Sequence, residues 1–69
     1  MDGLILDYIR THPGCRKREI ASAINIWQCD KRFLEVMTYL EKSGKIYAVT
    51  HNDPANMEFY DEWYIKEEN

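Results

Sequence analysis

The stretch that decides the fold runs from residue 29 to residue 46 and reads CDKRFLEVMTYLEKSGKI. Apolar side chains recur in it every three or four positions, the spacing of one helix face: Cys29, Phe33, Val36, Met37 and Leu40. Ser43 and Gly44 are typical of a helix end, and Ile46 opens a run of strand-forming residues. The stretch therefore predicts a helix over about 28–43, with Cys29 as a small core residue, followed directly by a strand.

Two shorter helices are predicted before this one. The first, over about 2–12, carries apolar residues at helical spacing and ends at Pro13 and Gly14. The second, over about 17–24, presents Ile20, Ala21 and Ile24 on one face. A short extended piece around Cys15 separates these two helices, and a short turn over 25–27 leads into the third helix.

Two strands, over about 45–50 and 58–65, follow the third helix and are joined by a loop rich in turn-forming residues. We therefore predict a mainly α fold with a small β-hairpin (α+β). This is a single winged helix-turn-helix domain over 1–69, with three helices and a wing of two or three strands. The predicted core comprises Leu4, Ile5, Ile9, Ile20, Ile24, Phe33, Val36, Met37, Leu40, Ile46 and Trp63.

Size and composition restrict the function. A chain of 69 residues has room for one core and no buried catalytic cavity. It contains no glycine-rich phosphate loop and no nucleophile motif, so we do not expect an enzyme. The apolar runs are too short to span a membrane and no secretory signal is evident, so we expect a cytoplasmic protein that does not contact membranes.

The two cysteines, Cys15 and Cys29, lack the spacing of a zinc knuckle. Together with His12 and His51 they provide the ligand types of a tetrahedral zinc site. Because loop histidines are usually only solvated, we favour two reduced thiols, with no metal and no cofactor.

Two segments carry a family resemblance: residues 18–24, REIASAI, and residues 33–46, FLEVMTYLEKSGKI. The chain resembles small single-domain bacterial winged-helix regulators, which have an E-I-A second helix, a third helix ending L-E-K-x-G-x-I and a wing strand with tryptophan. The resemblance covers nearly the whole chain. It implies binding of double-stranded DNA, with the third helix in the major groove and the wing on the backbone.

Within this fold, the outline is shared by small fimbrial phase-variation regulators and by small ferrous-iron-transport proteins. The segment 46–65 contains no cysteine, which argues against the iron–sulfur wing of the transport proteins. Leu34 and Thr38 stand where binders of left-handed DNA have asparagine and tyrosine, which argues against that role. Residues 27–30 lengthen the turn relative to the fimbrial regulators, so their base contacts are not transferred to this chain.

Basic residues are concentrated at the starts of the second and third helices, although the net charge is −3. Lysine and arginine there suit phosphates or guanine edges, and glutamine suits an adenine edge. The predicted DNA-binding residues are Arg16, Lys17, Arg18, Gln28, Lys31 and Arg32. The alternative is an ordinary solvated surface, on which Lys31 and Arg32 pair with Glu35.

The wing favours a different partner, because it has several carboxylates and no lysine or arginine between Lys45 and Lys66. Phosphate would repel such a wing, whereas aromatic side chains near it suit a protein contact. The predicted protein-contact residues are Trp27, Tyr60, Asp61 and Glu62. Two hypotheses remain open: a small DNA-binding transcriptional regulator or accessory factor, alone, as a homodimer or with a partner protein, and a protein-binding adaptor that does not bind DNA.

Overall fold

A computed structural model describes residues 1–66 and contains three helices followed by an antiparallel hairpin. The helices are α1 (Asp2–Thr11), α2 (Lys17–Ala23) and α3 (Lys31–Lys42). The strands are β1 (Ile46–Asp53) and β2 (Glu58–Ile65). The predicted α+β class with three helices and a hairpin is confirmed, and the layout is compatible with a winged helix.

The start of α3 differs from the prediction. Asp30 caps the helix, because its side chain accepts a hydrogen bond from the backbone N–H of Phe33 at 3.0 Å. The cap satisfies one of the N–H groups that a helix start leaves unpaired, so the helix begins at Lys31 and not at residue 28. Cys29 consequently lies in the preceding turn and is exposed, and its predicted core position is wrong.

The start of α2 is stabilised from inside the helix. Arg16 occupies the N-cap position, where its extended backbone directs the N–H toward the first turn. The Oε1 atom of Glu19 accepts a hydrogen bond from this N–H at 3.0 Å. This arrangement is the carboxylate half of a capping box, and it occupies Glu19 with the backbone of Arg16.

The hairpin pairs Ile46 with Ile65 at its base and Asp53 with Glu58 at its tip. β1 is longer than the predicted 45–50, because cross-strand pairing continues through residues 51–53 and confines the turn to 54–57. Cys15 forms a single antiparallel bridge with Trp63 of β2, at the position where a third strand would lie. The Gly14 N–H donates to the Trp63 carbonyl and the Trp63 N–H donates to the Cys15 carbonyl, each at 2.9 Å.

The core lies between the helices and the base of the hairpin. Its buried members are Ile5, Ile9, Cys15, Ile20, Ala21, Phe33, Met37, Leu40, Ile46 and Trp63, and Ile24 and Val36 pack against them partly buried. Leu4 was predicted in this core but is 60% exposed, because Ile5 and Ile9, four residues apart, take the inward face of α1. Trp63, only 3% exposed, anchors the wing to the helices.

Over the described residues, no helix has both the length and the apolar character needed to cross a membrane.

Candidate nucleic-acid interface

The starts of α2 and α3 carry the basic side chains that the sequence singled out. We call this surface the basic edge and define it by Arg16, Lys17, Arg18, Lys31 and Arg32. Four of these residues are exposed and Lys17 is half-buried. Gln28 lies half-buried in the turn between the two helices.

The basic edge carries positive charge without a carboxylate partner. Within residues 1–66, ion pairs join the amino terminus to Asp2 and Arg10 to Asp7, and the His51 ring contacts the Glu62 carboxylate. None of them includes a side chain of the basic edge. In particular, the alternative pairing of Lys31 and Arg32 with Glu35 does not occur among the described residues.

Aromatic rings of β2 orient two of these cations without neutralising them. The guanidinium carbon of Arg16 lies 4.1 Å from the centroid of the Tyr60 ring. The Nζ atom of Lys17 lies 5.6 Å from the Trp63 ring centroid. Both distances fall in the range of cation–π contacts, so the wing positions the start of α2 while leaving its charge available.

Two adjacent grooves flank α2 and its turn. The wing groove, of about 350 Å³, is lined by Arg16, Lys17, Arg18, Gln28, Phe59, Tyr60, Asp61 and Trp63. The turn groove, of about 420 Å³, is lined by Arg18, Ser22, Asn25, Ile26, Trp27 and Gln28. Arg18 and Gln28 line both, so the two grooves meet. The wing groove thus joins residues that the sequence assigned to two different partners.

Lys31 belongs to a third groove, of about 470 Å³, which it lines with Cys29, Leu34, Glu35 and Thr38. The basic edge is therefore divided between two surfaces. Three cations face the wing, and at least one faces the outer side of α3. A ligand that uses all five cations must extend across the turn between the two helices.

Two carboxylates of the wing, in contrast, have side-chain partners inside the hairpin. Glu62 Oε1 lies 2.5 Å from His51 Nε2, and Asp61 accepts a hydrogen bond from the Thr50 hydroxyl at 2.7 Å. Desolvation, together with the charge of Glu62, raises the pKa of the nearby Tyr64. Of the predicted protein-contact residues, Tyr60, Asp61 and Glu62 are half-buried with contacts inside the molecule, and only Trp27 is exposed.

Phe59 was missed by the sequence reasoning, although it lines the wing groove and is 74% exposed. The alternation of side chains along a strand could have identified it, because Phe59 falls on the same face of β2 as Asp61 and Trp63. Trp63 is buried against the helices, whereas Phe59 stays exposed and faces the groove that it shares with the start of α2.

The two thiols have different environments. Burial raises the pKa of the Cys15 thiol to about 11, and the charge of Glu19 acts in the same direction. Cys29 is exposed beside the basic edge. The part of the chain described by the structure contains no group of three or more histidine, cysteine, aspartate or glutamate side chains placed to hold a metal ion.

The geometry is thus a divided basic surface, two meeting grooves and a wing in which Asp61 and Glu62 have side-chain partners across the hairpin. The chain matches no family model, no curated protein and no solved structure. Its function is therefore inferred from these side chains themselves.

Proposed function

We propose that the protein is a small cytoplasmic DNA-binding regulator or accessory factor of the winged-helix type, with no enzymatic activity and no cofactor. One observation carries this proposal: the cations of the basic edge have no carboxylate partner among residues 1–66. Cations that are already unpaired do not have to break an ion pair before they bind phosphate. Each phosphate contact also releases counterions from DNA, which favours association.

The proposed contacts follow from position on the helices. Lys31 and Arg32 occupy the first turn of α3 and are exposed, where a helix that enters the major groove presents its side chains to base edges. Gln28 precedes them and provides the amide that pairs with adenine. Arg16, Lys17 and Arg18 hold the flanking phosphates.

The adaptor hypothesis receives less support from the same geometry. Tyr60 packs under Arg16, Asp61 binds Thr50 and Glu62 pairs with His51. A partner protein would have to replace these contacts before it could use the three side chains. We therefore rank duplex DNA ahead of a protein partner.

A pair of charge reversals tests the proposal. Replacing Lys31 and Arg32 together by glutamate puts negative charge at the start of α3 but leaves the core intact, because both side chains are exposed. We expect duplex DNA affinity, measured by fluorescence anisotropy over a series of salt concentrations, to fall. The slope of log affinity against log salt should flatten by about 0.9 for each phosphate that the variant no longer binds.

The matched control is Lys42→Glu with Lys45→Glu, which makes the same change in charge at the opposite end of α3. We expect this control to retain most of the parent's affinity, since the charges lie away from the basic edge. If both variants lost affinity equally, net charge alone would account for the effect, and the proposed contacts of Lys31 and Arg32 would be contradicted. A parent protein that shows no salt-dependent binding to duplex DNA would overturn the proposal in favour of the adaptor.

A further inference from the structure

The turn between α2 and α3 presents a tryptophan to solvent on a fixed backbone. The side chain of Trp27 is 69% exposed. Its carbonyl accepts a hydrogen bond from the Asp30 N–H, and the preceding Ile26 N–H donates to the Ala21 carbonyl, both at 2.9 Å. Ile26 also packs against the core. The indole is therefore held out on an anchored turn, although burying a tryptophan usually stabilises a small domain.

A second exposed aromatic ring, Phe59, lines the neighbouring groove. Phe59 lines the wing groove, and Trp27 lines the turn groove. Arg18 and Gln28 belong to both grooves and connect them, and Arg16 and Lys17 lie on the Phe59 side. The two grooves together carry two exposed aromatic rings, three cations without a carboxylate partner and one carboxylate, Asp61, which accepts a hydrogen bond from Thr50.

We propose that this surface binds single-stranded nucleic acid, with unpaired bases stacked on Trp27 and Phe59. Flat aromatic side chains next to a cationic groove are the combination that binds unpaired strands, because every base has a face that stacks. The bases of a duplex are already stacked on one another, so these two rings contribute little to duplex binding. The inference rests on the proposed function for the role of Arg16, Lys17 and Arg18 as phosphate contacts.

The polar side chains of the turn groove fit this ligand. Asn25 and Gln28 present amides, and Ser22 presents a hydroxyl, next to the indole of Trp27. Amides and hydroxyls pair with the hydrogen-bonding edges of an unstacked base. Asn25 has a φ of 60°, in the left-handed region that turns the chain after α2, and it lines the turn groove together with Trp27.

Three ligands of equal length separate this inference from the proposed function: oligothymidine, oligouridine and a duplex DNA. Affinities are measured by anisotropy for the parent and for Trp27→Ala, Phe59→Ala and Leu4→Ala. Leu4 is the matched control, because it is an exposed apolar residue on α1 that lines neither groove. Thermal melts confirm that each variant folds.

We expect Trp27→Ala and Phe59→Ala each to weaken binding of the single strands by about 5- to 150-fold, the range that corresponds to removal of one base–aromatic stack. Leu4→Ala should bind as the parent does, and duplex affinity should change little in all three variants. The parent's tryptophan fluorescence should be quenched by oligothymidine, and Trp27→Ala should lose most of that quenching, since Trp63 is buried. The ratio of oligouridine to oligothymidine affinity shows whether RNA or DNA is preferred.

Single-strand binding that is indifferent to both aromatic substitutions would overturn the stacking proposal. Binding of the duplex without binding of either single strand would also overturn it, while leaving the proposed function intact. Failure of all three ligands to bind would remove the proposed function together with the inference.

Discussion

The basic edge and the wing both carry several charged side chains, yet only in the wing do two carboxylates have side-chain partners across the hairpin. In the wing, Glu62 contacts His51 and Asp61 accepts from Thr50. On the basic edge, the described residues provide no carboxylate within ion-pair distance of any cation. The difference separates carboxylates that make contacts within the hairpin from cations that remain available to a ligand.

Local geometry accounts for this difference. Thr50 and Asp61 are directly paired across the hairpin, and His51 and Glu62 are diagonal neighbours. Strand pairing therefore already brings the side chains of each pair within contact distance. On α3, Lys31 precedes Glu35 by four residues, which is the less favourable order for a helical ion pair. On α2, Glu19 accepts from the backbone N–H of Arg16 instead of its guanidinium group.

The largest effect is expected where the wing is attached to the helices. Trp63→Ala should lower the free energy of unfolding by about 3–5 kcal/mol, because it leaves a cavity at a side chain only 3% exposed. Phe59→Ala, four residues earlier on the same face, should change it by no more than about 0.5 kcal/mol. Urea denaturation measures both values. Similar reductions for the two variants would contradict the division of β2 into a buried base and an exposed tip.

Trp63→Phe sharpens the same comparison. The indole N–H of Trp63 is buried without a hydrogen-bond partner among the described residues. Phenylalanine keeps most of the apolar contact and removes this unsatisfied donor. We therefore expect it to cost clearly less than the alanine substitution in the same denaturation series.

A smaller effect on stability is expected at Asp30, the N-cap of α3. Asp30→Ala removes the acceptor of the Phe33 N–H and should lower the free energy of unfolding by about 0.5–2 kcal/mol. Asp30→Asn, which keeps a capping oxygen, should recover most of this stability. DNA affinity of the folded alanine variant should remain within a few-fold of the parent if the cap only fixes where α3 begins.

The last comparison concerns the reactivity of the two thiols, because Cys15 is buried against β2 and Cys29 is exposed beside the basic edge. Cys29, beside the basic edge, should react with a maleimide in the folded protein at pH about 8, whereas buried Cys15 should react only after unfolding. Mass spectrometry should accordingly find one label before denaturation and two afterwards. Rapid labelling of both thiols in the folded state would contradict the burial of Cys15 beside Trp63.

The raised pKa of Cys15 makes the stability of the fold decrease at alkaline pH. The pKa of this thiol rises from 9.0 to about 11 on folding, so the folded state favours the protonated form. Its contribution to stability is complete below pH 9.0 and is lost as the pH rises through about 11. Cys15→Ala should therefore show a shallower decline of stability than the parent in this window.

Much of the fold follows from patterns along the chain. The spacing of Phe33, Met37 and Leu40 predicted α3, and each of the three is buried. The spacing of Ile5 and Ile9 predicted α1 but did not exclude Leu4, because two adjacent apolar residues satisfy the same helical period. The start of α3 was misplaced because the capping role of Asp30 outweighs the apolar character of Cys29.

The candidate site was predicted less completely. The basic residues of the edge were identified from their positions along the chain, but their separation into two surfaces depends on how α2 and α3 are arranged around the turn. The contact between Arg16 and Tyr60 joins residues 44 positions apart, and no short-range pattern indicates it. The importance of Phe59 became evident only from the groove that it lines together with residues of α2.

The sequence by itself determined the helical and strand periods, the helix ends near Pro13 and Gly44 and the clustering of basic residues at the starts of α2 and α3. These are local properties, set by side-chain spacing and by backbone preferences of single residues. Tertiary structure alone decided which charges found partners and which aromatic rings stayed exposed. Those outcomes depend on distances between segments far apart in the chain, and folding sets these distances by burying Trp63 and Cys15 against the helices.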